Sequence, residues 1–403
     1  MIRTQTVRLY PTPKQTAALV EYLEVARLTY NWALDLKLLA WGNNKINLSK
    51  YDLFGYLTWL RSRSDCRRFR DCPCDVERDA ITRVDFAFAG FFQRLKQGKK
   101  PGFPRFKGKG RIRSFVANSN VITKSGRICI PKITPIKCRG LQPILGKIKR
   151  LRILKKANKW LAQLVVDDQL PTPPKVSVNK AVGIDVGLNH FAATTDGQLV
   201  DNPRTYRQLE RQLRRASQDV SRKVKGSNRR KAIIKLQLVH ERIVDIRTDF
   251  LHKLSSNLVN RYDLIAIEDL SVAQMIRGHN FGKSISDASW ATFFHYLTYK
   301  AESAGKIVMK VDPRGTSQLC SFCERIVPKD LSVRIHNCNP GCGLMLDRDI
   351  NAARNILFRA VLEQTHGRWA QACGEVVRLT DASASLSKPL RSRNSSPEET
   401  TTS

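Results

Sequence analysis

The stretch Gly183-Ile184-Asp185-Val186-Gly187 places an aspartate at the end of a predicted strand, between two glycines. Glycine has no side chain, so a metal ion or a phosphate can approach the backbone closely beside it. Asp-Xaa-Gly turns are common in proteins, so this stretch alone does not establish a site. Its meaning depends on the acidic residues elsewhere in the chain.

The stretch Leu264-Ile265-Ala266-Ile267-Glu268 is a second apolar strand, and it also carries a carboxylate at its end. Burying that charge is costly unless a cation or hydrogen bonds compensate it. The pattern is compatible with a cation site and also with a simple cap at a solvent-facing strand edge.

A third acidic motif, Leu346-Asp347-Arg348-Asp349-Ile350, opens a helix predicted over about 348–364. Either aspartate can cap that helix, but one cap does not need two acids. Positions 349 and 353 share one helical face, so we expect Asp349 to point toward the sheet and Arg348 to point away from it. Asp347 is then left as a cap or a supporting group.

The order of these motifs is a strand with Asp185, a hairpin, a basic helical region, a strand with Glu268 and a helix with Asp349. This order matches the ribonuclease-H-like arrangement, in which two central strands and one helix bring three carboxylates together. Two Mg²⁺ ions roughly 3.5–4 Å apart would neutralise them and clamp the attacking and leaving oxygens of a phosphodiester. Oxygen ligands favour Mg²⁺ or Mn²⁺ over zinc. The sequence therefore predicts a two-ion nuclease site.

Two cysteine pairs, Cys320/Cys323 and Cys338/Cys342, are separated by 14 residues. This spacing predicts a four-cysteine zinc ribbon with one closed, structural Zn²⁺ ion. The second pair is one residue longer than usual, and His336 is an alternative ligand. Elsewhere, Cys66, Cys72 and Cys74 are predicted to be surface or packing cysteines.

The chain has 403 residues, with 70 Lys and Arg against 35 Asp and Glu, and a net charge of +35. Such a charge indicates a polyanionic partner. Ribosomal-type proteins are usually shorter, and the basic residues do not flank one apolar helix as at a membrane surface. Neither an apolar run of membrane-spanning length nor a signal peptide is present, so we expect a cytoplasmic protein and no membrane partner.

Two regions are candidate nucleic-acid surfaces. Phe103, Arg105, Phe106 and Lys107 combine aromatic rings with cations on a Gly/Pro-rich loop, which can follow a phosphate backbone and stack on bases. A solvated linker is the alternative. A basic helical region follows at 205–260, where a solvated hairpin is the alternative to phosphate contact; its basic residues include Arg211, Arg214, Arg215, Arg222, Lys223, Lys225, Arg229, Arg230 and Lys231.

Hydrophobic periodicity predicts an N-terminal strand, three helices and a set of short strands ahead of a proline-rich linker at 170–174. The strands are expected to form a small β-barrel that the N-terminal strand completes. Within it, Asn118, Ser119 and Asn120 could contact base edges or form a turn. The predicted elements are strands at 2–10, 112–116, 128–130, 148–154 and 160–166, and helices at 14–42, 50–63 and 75–97.

From its opening stretch to about residue 363, the chain resembles the TnpB proteins of insertion-sequence transposons, compact relatives of type V CRISPR effectors. The matching motifs are Val7-Arg8-Leu9-Tyr10-Pro11, Gly102-Phe103-Pro104-Arg105-Phe106-Lys107, Gly183-Ile184-Asp185-Val186-Gly187, Ile267-Glu268-Asp269-Leu270, Ser317-Gln318-Leu319-Cys320 and Asp347-Arg348-Asp349-Ile350-Asn351-Ala352-Ala353.

The resemblance implies a multidomain fold of α/β class plus a β-barrel. Its parts are an RNase H-like (RuvC) nuclease domain with a zinc-ribbon insertion, a wedge-type β-barrel and a helical recognition domain. The expected bounds are 1–12 and 110–172 for the barrel, 13–109 for the recognition domain, 176–315 and 344–365 for the nuclease domain, 316–343 for the ribbon, and 366–403 for a disordered tail.

The resemblance further implies that Asp185, Glu268 and Asp349 are the catalytic metal ligands. It implies a guide RNA from the transposon end and cleavage of double-stranded DNA beside a short transposon-adjacent motif, which the protein recognises while base pairing supplies specificity. The motif-recognising positions correspond to the region of Tyr51 to Phe54 and to Asn118.

Three functional classes remain open on the sequence. The first is an RNA-guided endonuclease, expected to act as a monomer by in-line attack of water that leaves a 5′ phosphate and a 3′ hydroxyl. The second is a regulator that binds RNA and DNA without cutting, and the third is an RNA-independent transposase or resolvase on the same catalytic fold. The intact set of three acids favours an enzyme, and the excess positive charge favours one that carries RNA.

Overall fold

A computed structural model describes residues 2–118, 126–169, 171, 173–278, 281–330 and 332–366. The chain divides into two compact units, residues 1–171 and 172–403. The tail expected beyond residue 366 and the polar residues Ser119 and Asn120 lie outside the described residues.

The helices of the first unit are α1 (Pro13–Asn44), α2 (Lys50–Ser62), α3 (Arg67–Asp71) and α4 (Cys74–Lys96), with a short 3₁₀ turn at Ser64–Cys66. Two of them begin with reciprocal side-chain caps. The Thr12 hydroxyl accepts from the backbone of Gln15 while the Gln15 side chain accepts from the backbone of Thr12, and Ser49 and Asp52 do the same on α2. These caps satisfy N–H groups that have no partner within the helix.

The sheet of the first unit contains β1 (Ile2–Tyr10), β2 (Ser114–Val116), β3 (Ile128–Ile130), β4 (Ile133–Arg139), β5 (Lys147–Lys156) and β6 (Lys159–Asp167). Its order is β2-β5-β6-β1-β4-β3, and all pairs are antiparallel. The N-terminal strand therefore lies inside the sheet, as predicted. The three-residue strands β2 and β3 lie at opposite edges of this sheet and do not pair with each other, so the described residues form a half-barrel and not the expected closed barrel.

The second unit is built on β7 (Ala181–Val186), β8 (His190–Thr194), β9 (Leu199–Asp201), β10 (Leu264–Glu268) and β11 (Ile307–Val311). Their order is β11-β10-β7-β8-β9. Strands β7, β8 and β9 form an antiparallel meander, and β10 and β11 run parallel to β7. All five residues of β10 are buried, as its apolar sequence predicts for a central parallel strand.

Helices cover both faces of this sheet. They are α5 (Thr205–Arg222), α6 (Ser227–Arg261), α7 (Val272–Gly278), α8 (Gly282–Ala288), α9 (Trp290–Ser303) and α10 (Arg348–His366), and a two-stranded sheet of β12 (Ile335–Asn337) and β13 (Met345–Asp347) precedes α10. One core contains Ile265 with Leu258 of α6 and Phe293 of α9. The other contains Leu264 and Leu357 of α10. In the part of the chain that the structure describes, no helix has the length and apolar character of a membrane span.

The absence of a side chain at Gly183 lets α10 lie directly against β7. A Cβ atom at this position would lie 2.8 Å from the backbone nitrogen of Leu357 and closer still to the carbonyl oxygen of Ala353. Both neighbours are helix backbone and cannot rotate away. The close approach therefore fixes α10 on the sheet and sets the position of its first turn.

Replacing Gly183 with valine should destabilise the second unit by about 3 kcal/mol or more, since overpacking against backbone must displace the helix. Chemical denaturation monitored by circular dichroism measures the change. Gly278→Ala is the matched control, because nothing lies within 4 Å of a Cβ there. Equal stability of Gly183→Val and wild type would contradict this packing.

Candidate functional site

Two of the three predicted acids lie side by side at the ends of neighbouring strands. Strands β7 and β10 are parallel, with Ile184 opposite Ile267, so Asp185 and Glu268 are the next residues along each strand. Neighbouring strands are about 4.8 Å apart. Both carboxylates therefore belong to the carboxyl edge of the sheet, where the backbone of each strand fixes them.

The third acid, Asp349, lies in the first turn of α10. The Asp347 carboxylate accepts hydrogen bonds from the backbone of Asp349 at 2.8 Å and of Ile350 at 3.3 Å, so Asp347 is the helix cap, as predicted. A Cβ at Gly187 would lie 3.8 Å from Oδ2 of Asp349. The glycine after Asp185 therefore leaves space beside the third carboxylate.

The three acids share one electrostatic environment. Burial raises the pKa of Asp185 well above its usual range, and the negative charges of Glu268 and Asp349 raise it further. Burial also raises the pKa of Glu268, which is 8% exposed. Such a cluster of like charges is unfavourable without a compensating cation.

A threonine that the sequence analysis missed orients Glu268. The buried Thr316 hydroxyl lies 2.6 Å from Oε1 of Glu268. This contact fixes one carboxylate oxygen and leaves the other for a cation. Thr316 directly precedes the Ser317–Cys320 motif, but nothing in the sequence pattern distinguished its hydroxyl from others.

The prediction that Arg348 points away from the site is wrong. Its Nε and Nη2 atoms each lie 3.2 Å from Oδ1 of Asp349, and Arg348 is only 14% exposed at its side chain. A buried carboxylate next to two others needs a counter-charge, and the adjacent arginine supplies it. One oxygen of Asp349 is therefore held by Arg348.

Among the described residues, a cysteine cluster is the only group of three or more His, Cys, Asp and Glu side chains whose ligand atoms all lie within 4.8 Å of one another. The carboxylates of Asp185, Glu268 and Asp349 are not among such groups. A pair of ions about 3.5–4 Å apart can bind a group of carboxylates of this kind. The all-oxygen donor set, with its excess negative charge, fits Mg²⁺ or Mn²⁺.

Two asparagines of α10 attach the segment that carries Thr316. Asn351 donates to the carbonyl of Leu319 at 2.7 Å and accepts from the backbone of Ser321 at 2.9 Å. Asn355 donates to the carbonyls of Thr316 at 2.8 Å and of Leu319 at 2.7 Å. Asn351 and Asn355 are four residues apart in the sequence, on one face of the helix. This spacing was a signal for their role, since buried amides require hydrogen-bond partners.

Cys320, Cys323, Cys338 and Cys342 converge as predicted. Their Sγ atoms all lie within 4.8 Å of one another, with 3.5 Å between Cys320 and Cys342 and 3.6 Å between Cys323 and Cys338. A tetrahedral ion with Zn–S bonds of about 2.3 Å requires about 3.8 Å between sulfurs. The cluster is thus consistent with one structural zinc ion.

The longer second pair is accommodated at Gly341. A Cβ at Gly341 would lie 2.8 Å from both the carbonyl oxygen and the Sγ of Cys338. The longer loop between Cys338 and Cys342 therefore packs directly against Cys338. His336 is not part of the cluster, because its Nδ1 contacts the amine of Lys329. Cys72 is buried and Cys66 and Cys74 are partly buried, all outside the cluster.

The nucleic-acid candidates of the first unit are largely exposed. Tyr51 is 70% exposed and lies edge-to-face against Phe54, with Arg78 over the Phe54 ring. Phe103 and Phe106 are 50% and 55% exposed, and Arg105 is also exposed. These exposed rings beside cations are available for stacking.

Two other candidates in this unit have structural contacts. The backbone of Lys107 exchanges hydrogen bonds with the side chain of Asn31 on α1, so its loop is anchored at that point. The Asn118 side chain accepts from the backbone of Leu151 at 3.4 Å, although the residue is exposed. Both residues therefore support the chain locally while remaining at the surface.

The basic candidates of the second unit lie on the α5–α6 hairpin. Arg214, Arg215, Arg222 and Arg230 are exposed, and Arg229 donates to the carbonyl of Lys223 at 2.7 Å. A groove of about 580 Å³ is lined by Arg214, Arg222, His240 and neighbouring residues. These residues form a basic surface on one hairpin.

The base of that hairpin is fixed by an aspartate. The Asp287 carboxylate accepts from the backbone of Tyr206, at 2.9 Å and 3.1 Å, and from the guanidinium of Arg247 at 2.7 Å. A carboxylate at a helix N-terminus is favourable because it offsets the helix dipole. The hairpin is therefore attached to the rest of its unit at the start of α5.

Three family models match the chain. "Probable transposase", the OrfB family of IS605, matches residues 163–278, "Cas12f1-like, TNB domain" matches 290–356, and "Helix-turn-helix domain" of the same OrfB family matches 1–45. The second match covers the cysteine cluster and Asp349.

Relatives match nearly the whole chain. A Streptomyces pristinaespiralis protein named "Putative RNA-guided DNA endonuclease" is 33% identical over 92% of this chain and 90% of its own. "Putative RNA-guided DNA endonuclease InsQ" of Escherichia coli is 28% identical over 92% and 94%. A solved structure of the mini RNA-guided endonuclease CRISPR-Cas_phi3 covers 94% of both chains, with 9% identity and a TM-score of 0.48.

Asp185→Asn should stabilise the metal-free protein at neutral pH by about 1–2 kcal/mol, a typical gain when a strained site is relieved. The pKa of Asp185 is raised in the folded state, so its contribution to stability is present at acid pH and is lost as the pH rises through that pKa. Thermal unfolding with a chelator, from acid to neutral pH, measures this. Adding Mg²⁺ should stabilise wild type more than the variant, and a variant less stable than wild type at neutral pH would contradict the account.

Elemental analysis should find one zinc ion per chain, and Cys338→Ser should lose it and unfold the ribbon, because ligand loss removes binding energy that also stabilises the fold. Cys66→Ser, outside the cluster, is the control and should keep its zinc. A full zinc content in Cys338→Ser would refute the four-cysteine site.

Proposed function

The chain belongs to the TnpB family, the OrfB proteins of IS605 transposons, and we propose on that premise that it is an RNA-guided DNA endonuclease. It cuts target DNA next to a short transposon-adjacent motif by two-metal-ion phosphodiester hydrolysis. The observation that carries this proposal is the gathering of Asp185, Glu268 and Asp349 around one carboxyl edge of the sheet, in an electrostatic environment that calls for cations.

In this proposal Asp185, Glu268 and Asp349 hold two Mg²⁺ or Mn²⁺ ions. When bound, the ions lower the pKa of water and stabilise charge on the leaving oxygen. Thr316 donates a hydrogen bond to one Glu268 oxygen, and Arg348 pairs with Oδ1 of Asp349. The other carboxylate oxygens of these two residues are then left for the ions.

The reaction is an in-line displacement at phosphorus. Water attacks as the P–O3′ bond breaks, and its proton passes to solvent. The leaving 3′ oxygen takes a proton from solvent, so the products are a 5′ phosphate and a 3′ hydroxyl. No covalent protein intermediate takes part. The nuclease domain proposed for this chemistry is RuvC-like, at 176–315 and 344–365, with the zinc ribbon at 316–343 as its insertion.

The partners proposed are a guide RNA from the transposon end and double-stranded target DNA. The net charge of +35 supports them, since each phosphate contact releases condensed counterions. The proposed backbone contacts are the basic hairpin and the loop with the exposed Phe103, Arg105 and Phe106 and the half-buried Lys107. The proposed motif-recognising residues are Tyr51, Phe54 and Asn118. They lie in the proposed barrel (1–12 and 110–172), recognition domain (13–109) and nuclease domain.

A non-cutting regulator with the same partners is the second candidate function. Such a protein would have no need of three clustered carboxylates, which destabilise a fold unless a cation binds. A transposase or resolvase would cut without RNA. The cleavage experiment below distinguishes the regulator and the transposase or resolvase from an RNA-guided endonuclease.

The protein should co-purify with one RNA of defined size, whose sequence continues into the DNA flanking the gene. With that RNA and a matching target, it should cut DNA only when Mg²⁺ or Mn²⁺ is present, leaving 5′ phosphates. Asp185→Ala should lower the rate about 1000-fold or more, because an ion contributes several kcal/mol to such a reaction.

Asp347→Asn is the matched control, since asparagine also caps helices and Asp347 is not among the proposed ligands. It should cut at a rate near that of wild type. RNA-bound protein that never cuts a matched target would favour the regulator, and RNA-free protein that cuts branched DNA would favour the resolvase.

A further inference from the structure

The hydroxyl of Thr316 and the carboxylate of Glu268 form a buried hydrogen bond, with 2.6 Å between Oγ1 and Oε1. The same hydroxyl lies 3.0 Å from the carbonyl oxygen of Pro313. A hydroxyl has one proton to donate, and an ionised acceptor forms the stronger hydrogen bond. Because a metal-binding carboxylate is ionised, the proton of Thr316 then goes to Oε1 of Glu268 and not to Pro313.

Helix α10 holds the loop that carries Thr316 along one of its faces. The buried Asn355 amide donates to the carbonyls of Thr316 and Leu319, at 2.8 Å and 2.7 Å. Four residues further along the helix, Arg359 donates to the carbonyl of Asp312 at 2.6 Å. The loop is thus attached on both sides of Thr316 to the helix that also carries the third acid. Its hydroxyl therefore has a fixed position beside Glu268.

The hydrogen bond leaves only Oε2 of Glu268 for a metal ion. Mg²⁺ requires a near-ideal octahedron with bonds of about 2.0–2.1 Å, and Mn²⁺ also suits octahedral oxygen sites, which single carboxylate oxygens can build. Ca²⁺ takes about six to eight oxygens in a flexible shell and often binds both oxygens of one carboxylate. Restricting Glu268 to one oxygen therefore removes a ligand from Ca²⁺ but none from Mg²⁺ or Mn²⁺.

We propose that Thr316 is a specificity-determining residue that favours Mg²⁺ and Mn²⁺ over Ca²⁺ at the proposed nuclease site. The hydroxyl prevents Glu268 from turning both oxygens toward one ion. Thr316 acts through Glu268 and is a positioning residue, not a ligand. The pairing of Arg348 with Oδ1 of Asp349 restricts a second acid in the same way. This inference rests on the proposed nuclease function.

Thr316→Val keeps the shape of the side chain and removes the hydroxyl. Mn²⁺ binding to the protein without RNA or DNA is followed by electron paramagnetic resonance, with Ca²⁺ as competitor, and Asp185→Ala measures the Mn²⁺ bound elsewhere. The ratio of Ca²⁺ to Mn²⁺ affinity should rise about tenfold in Thr316→Val, the effect of one hydrogen bond to a charged group. A ratio is used because any general weakening of the site affects both ions.

Two further variants serve as controls. Thr316→Ser keeps the hydroxyl and should have the affinity ratio of wild type. Thr298→Val makes the same change at a threonine whose hydroxyl donates within α9 to the carbonyl of Phe294, at 2.8 Å, and should leave the ratio unchanged. Zinc content and melting temperature close to wild type in Thr316→Val separate the proposed role from a structural one.

Crystals of the wild-type protein with Ca²⁺ test the same point without any variant. Glu268 should bind Ca²⁺ through Oε2 alone, with Oε1 still on the Thr316 hydroxyl. Calcium bound by both oxygens of Glu268, or an unchanged affinity ratio in Thr316→Val, would overturn the selection. A raised ratio together with a wild-type protein that cuts no matched target would uphold it and instead refute the proposed endonuclease.

Discussion

Helix α10 touches the backbone of β7 at Gly183, and the geometry of the site depends on this contact. Any larger residue would meet the backbone of Ala353 and Leu357. The contact fixes the position of the first turn of α10 relative to the sheet. Asp347 caps this turn, and Asp349 lies in it. The neighbouring strands β7 and β10 supply Asp185 and Glu268. Three carboxylates are thereby held by rigid elements and not by loops.

The cost of this arrangement is electrostatic. Each carboxylate is partly or fully buried near two others. Arg348 and Arg334 place positive charge beside Asp349, and the Thr316 hydroxyl donates a hydrogen bond to Glu268. Burial raises the pKa of Asp185 most, and the charges of Glu268 and Asp349 raise it further although Arg348 lowers it, so a cation is still favourable at this cluster. Divalent ions at the proposed site would stabilise the protein, because a ligand that binds only the folded state favours that state. The burial of three like charges therefore both destabilises the fold without ions and creates the proposed ion site.

Much of this architecture could be predicted because its signals are local. Strand β10 is a continuous apolar run, and the cysteine spacing specifies a ribbon. Strand β4 was missed because Pro135 interrupts its pattern. The role of Thr316 could not be predicted, since it meets Glu268, far away in sequence, only in the fold. The direction of Arg348 could not be predicted either, because it depends on how the buried acids are gathered around Asp349. The closed barrel was expected from strand count, but pairing at the edges depends on tertiary structure.

Asp185, Glu268 and Asp349 are proposed to bind a pair of divalent ions. Anomalous diffraction from crystals of the protein with guide RNA and target DNA, grown with Mn²⁺, would locate these ions. We expect two Mn²⁺ peaks among the three carboxylates, roughly 3.5–4 Å apart, with the phosphodiester between them. Mn²⁺ bound elsewhere, or a phosphate positioned without any ion at these acids, would contradict it.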